Sequence, residues 1–323
     1  MDQTKIQVAA QAICTARNVL IACHVHADGD ALGSLLALGL GLERLGKTVT
    51  LVSPDGVPEL WRFLPHWSRV RTAADPNHAD LGIGVDADGS DRLGSAEAAV
   101  LAAPVVIDID HHAGPDLFGQ IHLVEPGAAA TGEIVYELLQ TLRAPFDGDI
   151  ATCLLTAILT DTGSFRYGSV TPRTFTIAGE LVAAGASPGT IYGAVYEQRT
   201  LAAARLLGIA LERLEVTAGG ALAWSVLRRD DFARVGACDE QTEGIVNQLR
   251  AVRGVRVAAL FREGPEGEIR VSLRARDETD VGQVARQFGG GGHRAAAGCT
   301  LSGPLAVAVE QVIAAAATQL AMP

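Results

Sequence analysis

The chain has 323 residues, of which 48% are hydrophobic, and this length favours two domains rather than one. Its formal net charge of −11 argues against a protein that binds long duplexes by neutralising many phosphates. Five scattered cysteines and a start without a secretory signal favour a reducing cytoplasmic location. We expect no membrane association, because the longest charge-free apolar stretch in the first half, residues 31–42, is too short to span a bilayer.

The first βαβ unit is predicted to carry metal-ligand side chains at its first turn. Its elements are an opening helix over residues 6–17, a buried strand over 18–23, a helix over 31–45 and a strand over 48–52. The first strand leads into His24, Asp28 and Asp30. Asp30 can also cap the helix, but one cap leaves His24 and Asp28 unexplained. Ser34 lies in the first helical turn, where we expect it to contact a phosphate.

The next two buried strands also end in acids and histidines. Asp86 is the first polar residue after a strand predicted over residues 79–85. The strand that begins at residue 105 runs directly into Asp110, His111 and His112. Because ligands bind at the carboxyl ends of strands in open α/β sheets, we expect these side chains to meet at one edge. The segment 61–67 is predicted to be a surface turn without chemistry.

The rest of the first half adds a further acid at the end of a helix. The predicted elements are a strand over residues 121–124, a helix from about residue 131, a helix over 150–160 and a helix over 174–184. Asp161 follows the third of these elements, where its charge opposes the helix dipole by roughly 0.3–1 kcal/mol, and a bound cation would compensate. Residues 187–214 read as a helical connection, so the predicted domains are residues 1–186 and 215–323.

The second domain is predicted to be a smaller α/β unit that ends in a glycine-rich turn. Its elements are strands over residues 221–227, 255–261 and 269–273 and helices over 240–252 and 281–288. Four successive glycines from Gly289 then precede His293 and Arg294. Such a run loses much backbone entropy on folding, which indicates backbone amides packed against a ligand rather than a linker. Residues 250–294 carry nine arginines against six acidic residues, which suits an anion-binding region or a solvated face equally well.

The strand-end and helix-end ligands form one set of five carboxylates and three imidazoles. They are His24, Asp28, Asp30, Asp86, Asp110, His111, His112 and Asp161. This mixture without thiolates suits Mn²⁺ or Mg²⁺ better than Zn²⁺. The set is too large for one ion, so we expect two, an arrangement that suits in-line displacement at phosphorus.

These residues resemble the motifs of the DHH phosphoesterase superfamily. The matching motifs are His24-x-x-x-Asp28-Gly29-Asp30, Asp86, Asp110-His111-His112 and Asp161-Thr162-Gly163. The run from Gly289 to His293 resembles the glycine-rich motif of the DHH-associated C-terminal domain. The matching motifs cover nearly the whole chain, and their arrangement is most similar to that of the NrnA-type subfamily. It implies a DHH domain with a mostly parallel sheet flanked by helices, a helical linker, a smaller α/β domain, and an active site in the cleft between the two domains.

The resemblance also implies a role for each matching residue. One metal ion is expected on His24, Asp28 and Asp86, and the second on Asp30, Asp86, His111 and Asp161, so that Asp86 bridges the two. His112 is expected to contact the scissile phosphate, and Asp110 to orient the histidines. A further set is expected to bind the terminal phosphate or nucleotide of the substrate: Arg274, Gly290, Gly291, Gly292, His293 and Arg294.

The function implied by the resemblance is Mn²⁺-dependent hydrolysis of phosphoesters in small nucleotides. The expected substrates are short single-stranded RNA or DNA, degraded 5′ to 3′ to mononucleotides, and 3′-phosphoadenosine 5′-phosphate (pAp), converted to AMP. A phosphodiesterase for cyclic di-AMP or linear pApA would use the same metals, and the sequence does not distinguish that activity from hydrolysis of short oligonucleotides and pAp. A homodimer fits the family, although no heptad or exposed stripe indicates one.

Three further alternatives are weaker on the residues themselves. The acidic balance disfavours a RecJ-like single-strand DNA exonuclease. Family II pyrophosphatases share the metal motifs, but their C-terminal anion site is rich in lysine and arginine rather than built on glycines and a histidine. The intact ligand set disfavours a non-catalytic nucleotide sensor.

Overall fold

A computed structural model describes residues 2–75, 79–112, 114 and 116–321 of the chain. The chain divides into two compact units, Met1–Gln198 and Arg199–Pro323. The segment 187–214, predicted as the connection, contains two helices, and the boundary between the units falls between them. None of the helices among these described residues is long and apolar enough to cross a membrane.

The first unit is built on a parallel sheet. Its strands are β1 (Asn18–Cys23), β2 (Thr48–Val52), β3 (Leu81–Val85), β4 (Val105–Asp110) and β5 (Ile121–Val124). Its helices are α1 (Gln3–Thr15), α2 (Gly29–Arg44), α3 (Glu97–Leu101), α4 (Thr131–Thr141), α5 (Gly148–Asp161), α6 (Pro172–Ala183) and α7 (Pro188–Tyr196). Within the described residues the strand order is β2-β1-β3-β4-β5, and every pairing is parallel. The predicted parallel sheet is confirmed.

This strand order determines where a ligand can bind. The chain leaves β1 in one direction to form β2 and later returns on the other side of β1 to form β3. A parallel sheet of this order has its ligand crevice at the carboxyl ends of the first and third strands, where the order reverses. In this unit the residues that follow those strand ends are His24 and Asp86.

Helix α2 begins earlier than predicted because a different acid caps it. The Asp28 carboxylate accepts hydrogen bonds from the backbone N–H groups of Asp30 and Ala31, each at 3.0 Å. The helix therefore starts at Gly29, and Asp28 rather than Asp30 is its N-cap. Because Asp28 caps the helix, the Asp30 side chain makes other contacts.

Two glycines allow α2 to pack closely against α5. A Cβ atom at Gly33 would lie 2.4 Å from the carbonyl oxygen of Cys153, and one at Gly29 would lie 2.5 Å from Thr160 Oγ1. Trp61 also contacts Gly29 and is 8% exposed, so it belongs to the core. The prediction that residues 61–67 form only a surface turn is therefore wrong for Trp61, which ends a short 3₁₀ helix.

The second unit contains a mixed sheet. Its strands are β6 (Glu215–Thr217), β7 (Leu222–Leu227), β8 (Val257–Glu263), β9 (Ile269–Ala275), β10 (Gly291–Gly292) and β11 (Ala296–Leu301). Its helices are α8 (Leu201–Glu212), α9 (Arg229–Val235), α10 (Ile245–Arg250), α11 (Val281–Arg286) and α12 (Leu305–Leu320). Among the described residues the order is β10-β11-β9-β8-β7-β6, in which β7 and β8 are parallel and the other pairs antiparallel. The predicted helix over 240–252 is shorter, because Gly244 has φ +77° and separates α10 from a 3₁₀ turn at Asp239–Thr242.

Candidate metal centre

The side chains that follow β1 and β3 form a first ligand group. His24 Nε2 lies 3.5 Å from Asp86 Oδ2 and 4.0 Å from Asp28 Oδ1. One ligand atom from each of the three residues lies within 4.8 Å of the others, close enough to bind one metal ion. His24 and Asp86 are buried and Asp28 is exposed, so the group opens to solvent on the side of Asp28.

A second group lies beside the first and shares a carboxylate with it. His111 Nε2 is 3.8 Å from Asp30 Oδ2 and 3.5 Å from Asp161 Oδ2. The same nitrogen is 3.7 Å from Asp86 Oδ1. One oxygen of Asp86 therefore faces His24 and the other faces His111, which is the geometry that a bridging ligand requires.

The local backbone and a neighbouring hydroxyl fix the position of Asp86. Its φ of +59° is in the left-handed region, a strained conformation for a residue with a side chain, and its N–H donates to the carbonyl of Ile109 at 2.9 Å. Thr131 Oγ1 donates to Asp86 Oδ1 at 2.8 Å. The sequence indicated Thr131 only as a helix start. A contact between residues 45 positions apart becomes visible only once the strand order is known.

Asp30 belongs to the second ligand group and also caps α4, whose N-cap residue Ala130 makes no side-chain hydrogen bond. Its carboxylate accepts from the N–H groups of Thr131 at 2.7 Å and Gly132 at 2.9 Å, at the start of α4. Ser34 Oγ donates to the same carboxylate at 3.0 Å. Ser34 is fully buried, so the prediction that it contacts a phosphate is wrong, and its hydroxyl positions Asp30 instead.

The Asp-His-His stretch divides into three different environments. Asp110 Oδ1 accepts from His112 Nδ1 at 2.8 Å and from the backbone N–H of His111 at 2.7 Å. The ring of His111 is instead positioned by the carbonyl of Ala128, 3.3 Å from its Nδ1. Asp110 therefore orients the ring of His112 but not that of His111. The hydrogen bond to Asp110 raises the pKa of His112 to about 9.

His112 could also belong to a third ligand group with Asp86 and His111. Its Nδ1 lies 3.8 Å from Asp86 Oδ1 but only 2.8 Å from Asp110 Oδ1. A hydrogen bond to a carboxylate requires a proton on Nδ1, and a protonated nitrogen does not bind a metal. The remaining ring nitrogen, Nε2, is thus the atom of His112 that is available to a ligand.

The charges of the group are those of a cation site. Burial, together with the charges of the neighbouring carboxylates Asp86, Asp161 and Asp28, raises the pKa of Asp30 well above its ordinary value. Burial also raises the pKa of Asp161. Burial alone would raise the pKa of Asp86, but the hydrogen bond from His24 and the charges of both histidines lower it. Carboxylates in such close contact repel one another, and divalent cations would relieve this repulsion. The donors, carboxylate oxygens and imidazoles, fit Mn²⁺ or Mg²⁺.

In the second unit, packing within the unit accounts for two of the glycines. A Cβ atom at Gly290 would lie 2.2 Å from the carbonyl oxygen of Gly298, and one at Gly292 would lie 2.6 Å from that of Ala296. Gly291 has no neighbour within 4 Å of such an atom among the described residues. The glycine run was predicted to pack against a ligand, but at Gly290 and Gly292 it packs against its own sheet.

The basic residues of this unit lie near the same turn. Arg274 pairs with Ala296 in the register of β9 and β11, and the turn before Ala296 carries His293 and Arg294. His293 is exposed, and its N–H donates to the carbonyl of Ala296 at 2.8 Å. Arg294 Nε donates to the carbonyl of Glu278 at 2.6 Å. His293 and Arg294 therefore lie in the turn that follows Gly291 and Gly292, and Arg274 lies on the strand beside that turn.

Carboxylates and imidazoles converge at the ligand edge of a parallel sheet, an arrangement that suits divalent metal ions. Comparisons with known proteins show that the chain is a phosphoesterase. The N-terminal domain of the DHH family matches residues 18–158, and the DHHA1 domain matches residues 232–321. The bifunctional oligoribonuclease and PAP phosphatase NrnA of Thermus thermophilus is 36% identical over 309 residues, which cover 94% of this chain and 90% of that protein. The probable bifunctional oligoribonuclease and PAP phosphatase NrnA of Streptococcus mutans is 28% identical, and the match covers 87% of this chain and 88% of that protein.

Two solved structures share the fold of this chain. An exopolyphosphatase-related protein from Bacteroides fragilis has a TM-score of 0.85 and 27% identity, over 98% of this chain and 96% of that chain. The exonuclease RecJ bound to manganese, at 15% identity and a TM-score of 0.51 over 99% of this chain and 95% of that chain, shares the fold. The chain belongs to the DHH family and, within it, to the NrnA-type phosphoesterases. The resemblance found in the sequence is confirmed, and the family implies a divalent metal.

Proposed function

We propose that this protein hydrolyses short oligonucleotides to mononucleotides from the 5′ end and converts pAp to AMP, with Mn²⁺ as the metal. The observation that carries the proposal is the position of Asp86, whose two oxygens face two different ligand groups. The names of the Thermus and Streptococcus relatives support the substrate class, since both describe an oligoribonuclease and PAP phosphatase.

The ligand groups assign a role to each acid and histidine. His24, Asp28 and Asp86 would hold one ion. Asp30, Asp86, His111 and Asp161 would hold a second, and Mg²⁺ is an alternative to Mn²⁺ at both positions. Ions bound in this way neutralise charge on the phosphate oxygens and lower the pKa of a bound water. The side chains themselves fix the distance between the two groups, because Asp86 is held by its own backbone and by Thr131.

His112 is the proposed contact to the scissile phosphate. Asp110 holds the Nδ1 proton, so Nε2 points away from that hydrogen bond and can face an anion. The His112 side chain is 46% exposed, whereas that of His111 is 14% exposed, so a substrate reaches the former more easily. Asp110 acts through His112 and is therefore a positioning residue.

The basic turn of the second unit is the proposed site for the terminal phosphate or nucleotide. Arg274 and His293 supply hydrogen-bond donors, and Arg294 would bind a phosphate in exchange for its ion pair with Glu278. Gly291 leaves its backbone open to a close approach. Gly290 and Gly292 would keep the turn in this shape.

The cysteines Cys14, Cys23, Cys153, Cys238 and Cys299 are all free thiols, which supports a reducing cytoplasmic location. Homodimerisation remains a prediction.

A matrix of metals and substrates tests the proposal. The purified chain is incubated with Mn²⁺, Mg²⁺ or chelator and with pAp, RNA of two to five residues, DNA of the same lengths, or cyclic di-AMP. We expect mononucleotides from RNA and AMP from pAp with Mn²⁺, and no product with chelator. Hydrolysis of cyclic di-AMP in preference to the others would replace the proposed substrate class.

The bridging role of Asp86 needs its own variant. Asp86→Asn should reduce turnover by several orders of magnitude and lower the number of Mn²⁺ ions bound in calorimetry. Asp91→Asn, which changes an exposed carboxyl of the same unit, is the matched control and should behave like the wild type. Full activity of Asp86→Asn would contradict the shared-ligand arrangement.

A further inference from the structure

The turn that follows Asp161 has an unusual backbone. Gly163, Ser164 and Phe165 have φ angles of +54°, +61° and +62°, so two successive residues with side chains adopt the left-handed conformation. Such conformations persist only where surrounding contacts enforce them, and they cluster at ligand-binding sites. The metal-centre chemistry described above does not use this turn.

Buried hydrogen bonds enforce the turn. Thr162 is fully buried, and its Oγ1 accepts from the N–H of Phe165 at 3.0 Å. The carbonyl of Thr162 accepts from the N–H groups of Arg166 at 2.9 Å and Tyr167 at 3.1 Å. The side chains of residues 165–167 are therefore presented on a rigid support next to a metal ligand.

Aromatic side chains concentrate at this turn although aromatic residues make up only 5% of the chain. The ring of Phe165 stacks on that of Phe175, with centroids 5.2 Å apart and planes at 25°. Phe175 is 57% exposed and lies off the buried face of α6, so folding does not require it there. Tyr167 is 56% exposed, and its ring covers Gly163.

Arg166, between Phe165 and Tyr167 in the sequence, adds a positive charge to the turn. Its Nε donates to the carbonyl of Gly163 at 2.6 Å, which fixes the direction of the guanidinium group. No acceptor among the described residues contacts its two terminal nitrogens. A guanidinium group that is held at Nε and open at its other nitrogens is suited to bind a phosphate through two parallel hydrogen bonds.

We propose that this turn binds the nucleotide unit of the substrate, with Arg166 on a phosphate and the outer face of Phe175 stacked on the nucleobase. Phe165 follows Asp161 by four residues, at most ~14 Å along an extended chain, and the hydrogen bonds of the turn bring it closer. The stack therefore lies in the neighbourhood of the ligand groups, so that a nucleotide held by Arg166 and Phe175 is near them. The inference rests on the proposed function and adds a specificity element, because a phosphate without a base would use only half of this site.

Equilibrium binding of two non-hydrolysed ligands isolates the stacking contribution. AMP and ribose 5-phosphate carry the same phosphate, and only AMP has a base. We expect the full-length protein to bind AMP about tenfold more tightly in calorimetry, a ratio typical of one base stacked on an aromatic side chain. Phe175→Ala should abolish this difference and leave the affinity for ribose 5-phosphate unchanged. Phe175→Trp should retain it, which excludes a folding defect as the cause.

Matched controls complete the test. Val182→Ala removes a side chain that is 43% exposed on the same helix, two turns from Phe175, and should leave both affinities unchanged. Arg166→Gln should weaken both ligands by a similar factor of about ten, because both carry the phosphate. An AMP preference that survives in Phe175→Ala, or an unchanged affinity of Arg166→Gln for ribose 5-phosphate, would overturn the inference. Since neither ligand is hydrolysed, these results are independent of whether oligonucleotides are the substrate.

Discussion

Asp108 gives the sharpest quantitative prediction, because it is a carboxyl buried without a full set of partners. It lies on β4, is 2% exposed, and its Oδ1 has no hydrogen-bond partner among the described residues. Burial, assisted by the charge of Asp110, raises its pKa from the ordinary 3.8 to about 7. The folded protein therefore favours the neutral form of Asp108 much more strongly than the unfolded chain does.

The sign of the effect follows from the direction of this pKa shift. Below about pH 4 the carboxyl of Asp108 is neutral in both states and burying it costs little. As the pH rises towards 7 the unfolded chain ionises first, and stability is lost until the folded form ionises as well. A pKa that is higher by about three in the folded state corresponds to a total loss of ~4 kcal/mol.

Asp108→Asn should remove this pH-dependent loss, because the amide stays neutral at every pH. We expect the free energy of unfolding of the variant to exceed that of the wild type by ~2–4 kcal/mol at pH 8 and by only ~1 kcal/mol at pH 4.5, where the unfolded carboxyl has begun to ionise. Urea titrations in chelator at several pH values measure the difference without a contribution from bound metal. Asp91→Asn, an exposed carboxyl, serves as the control for net charge. A difference that does not change with pH would refute the reasoning.

Further predictions concern other parts of the chain. His111→Ala should reduce the affinity for Mn²⁺, whereas His112→Ala should leave it intact and lower kcat, so equal metal loss in calorimetry would contradict their division of roles. Ser34→Ala should cost ~1–3 kcal/mol in urea unfolding because it removes a donor from a buried carboxylate, with the KM for pAp unchanged. Gly33→Ala should destabilise the protein by ~1–3 kcal/mol, since the added methyl would lie 2.4 Å from a backbone oxygen of α5. Gly208→Ala, on a helix surface of the second unit where an added Cβ has no neighbour within 4 Å among the described residues, should instead gain ~0.5–1 kcal/mol. A thermal melt distinguishes the two variants.

The convergence of the candidate ligands could be predicted from the sequence because each of them follows a strand or helix with a clear apolar pattern. Buried apolar runs end at His24, Asp86 and Asp110, and parallel strands bring their carboxyl ends to one edge. The parallel sheet and the second α/β unit followed from the same alternation of strands and helices. These inferences need only local sequence and one rule of topology.

The contacts that tune the site could not be predicted in this way. Thr131 meets Asp86, and Asp30 caps α4, across separations of 45 and 101 residues. Those pairings depend on which elements lie side by side. Ser34 was predicted to contact a phosphate, since its position in the first helical turn does not by itself reveal that it is fully buried. Trp61 was assigned to the surface for the same reason, although it packs beneath Gly29.

Asp30 links the catalytic site to the architecture in a way that limits how the protein can change. Three neutral donors, from α2 and the start of α4, hold its carboxyl group in place. Folding therefore fixes the orientation of this proposed ligand without help from a cation. A lineage that abandoned catalysis could discard Asp161 at the end of its helix with little structural damage. It could not discard Asp30 so easily. Loss of this side chain would leave two N–H groups in the first turn of α4 without their acceptor.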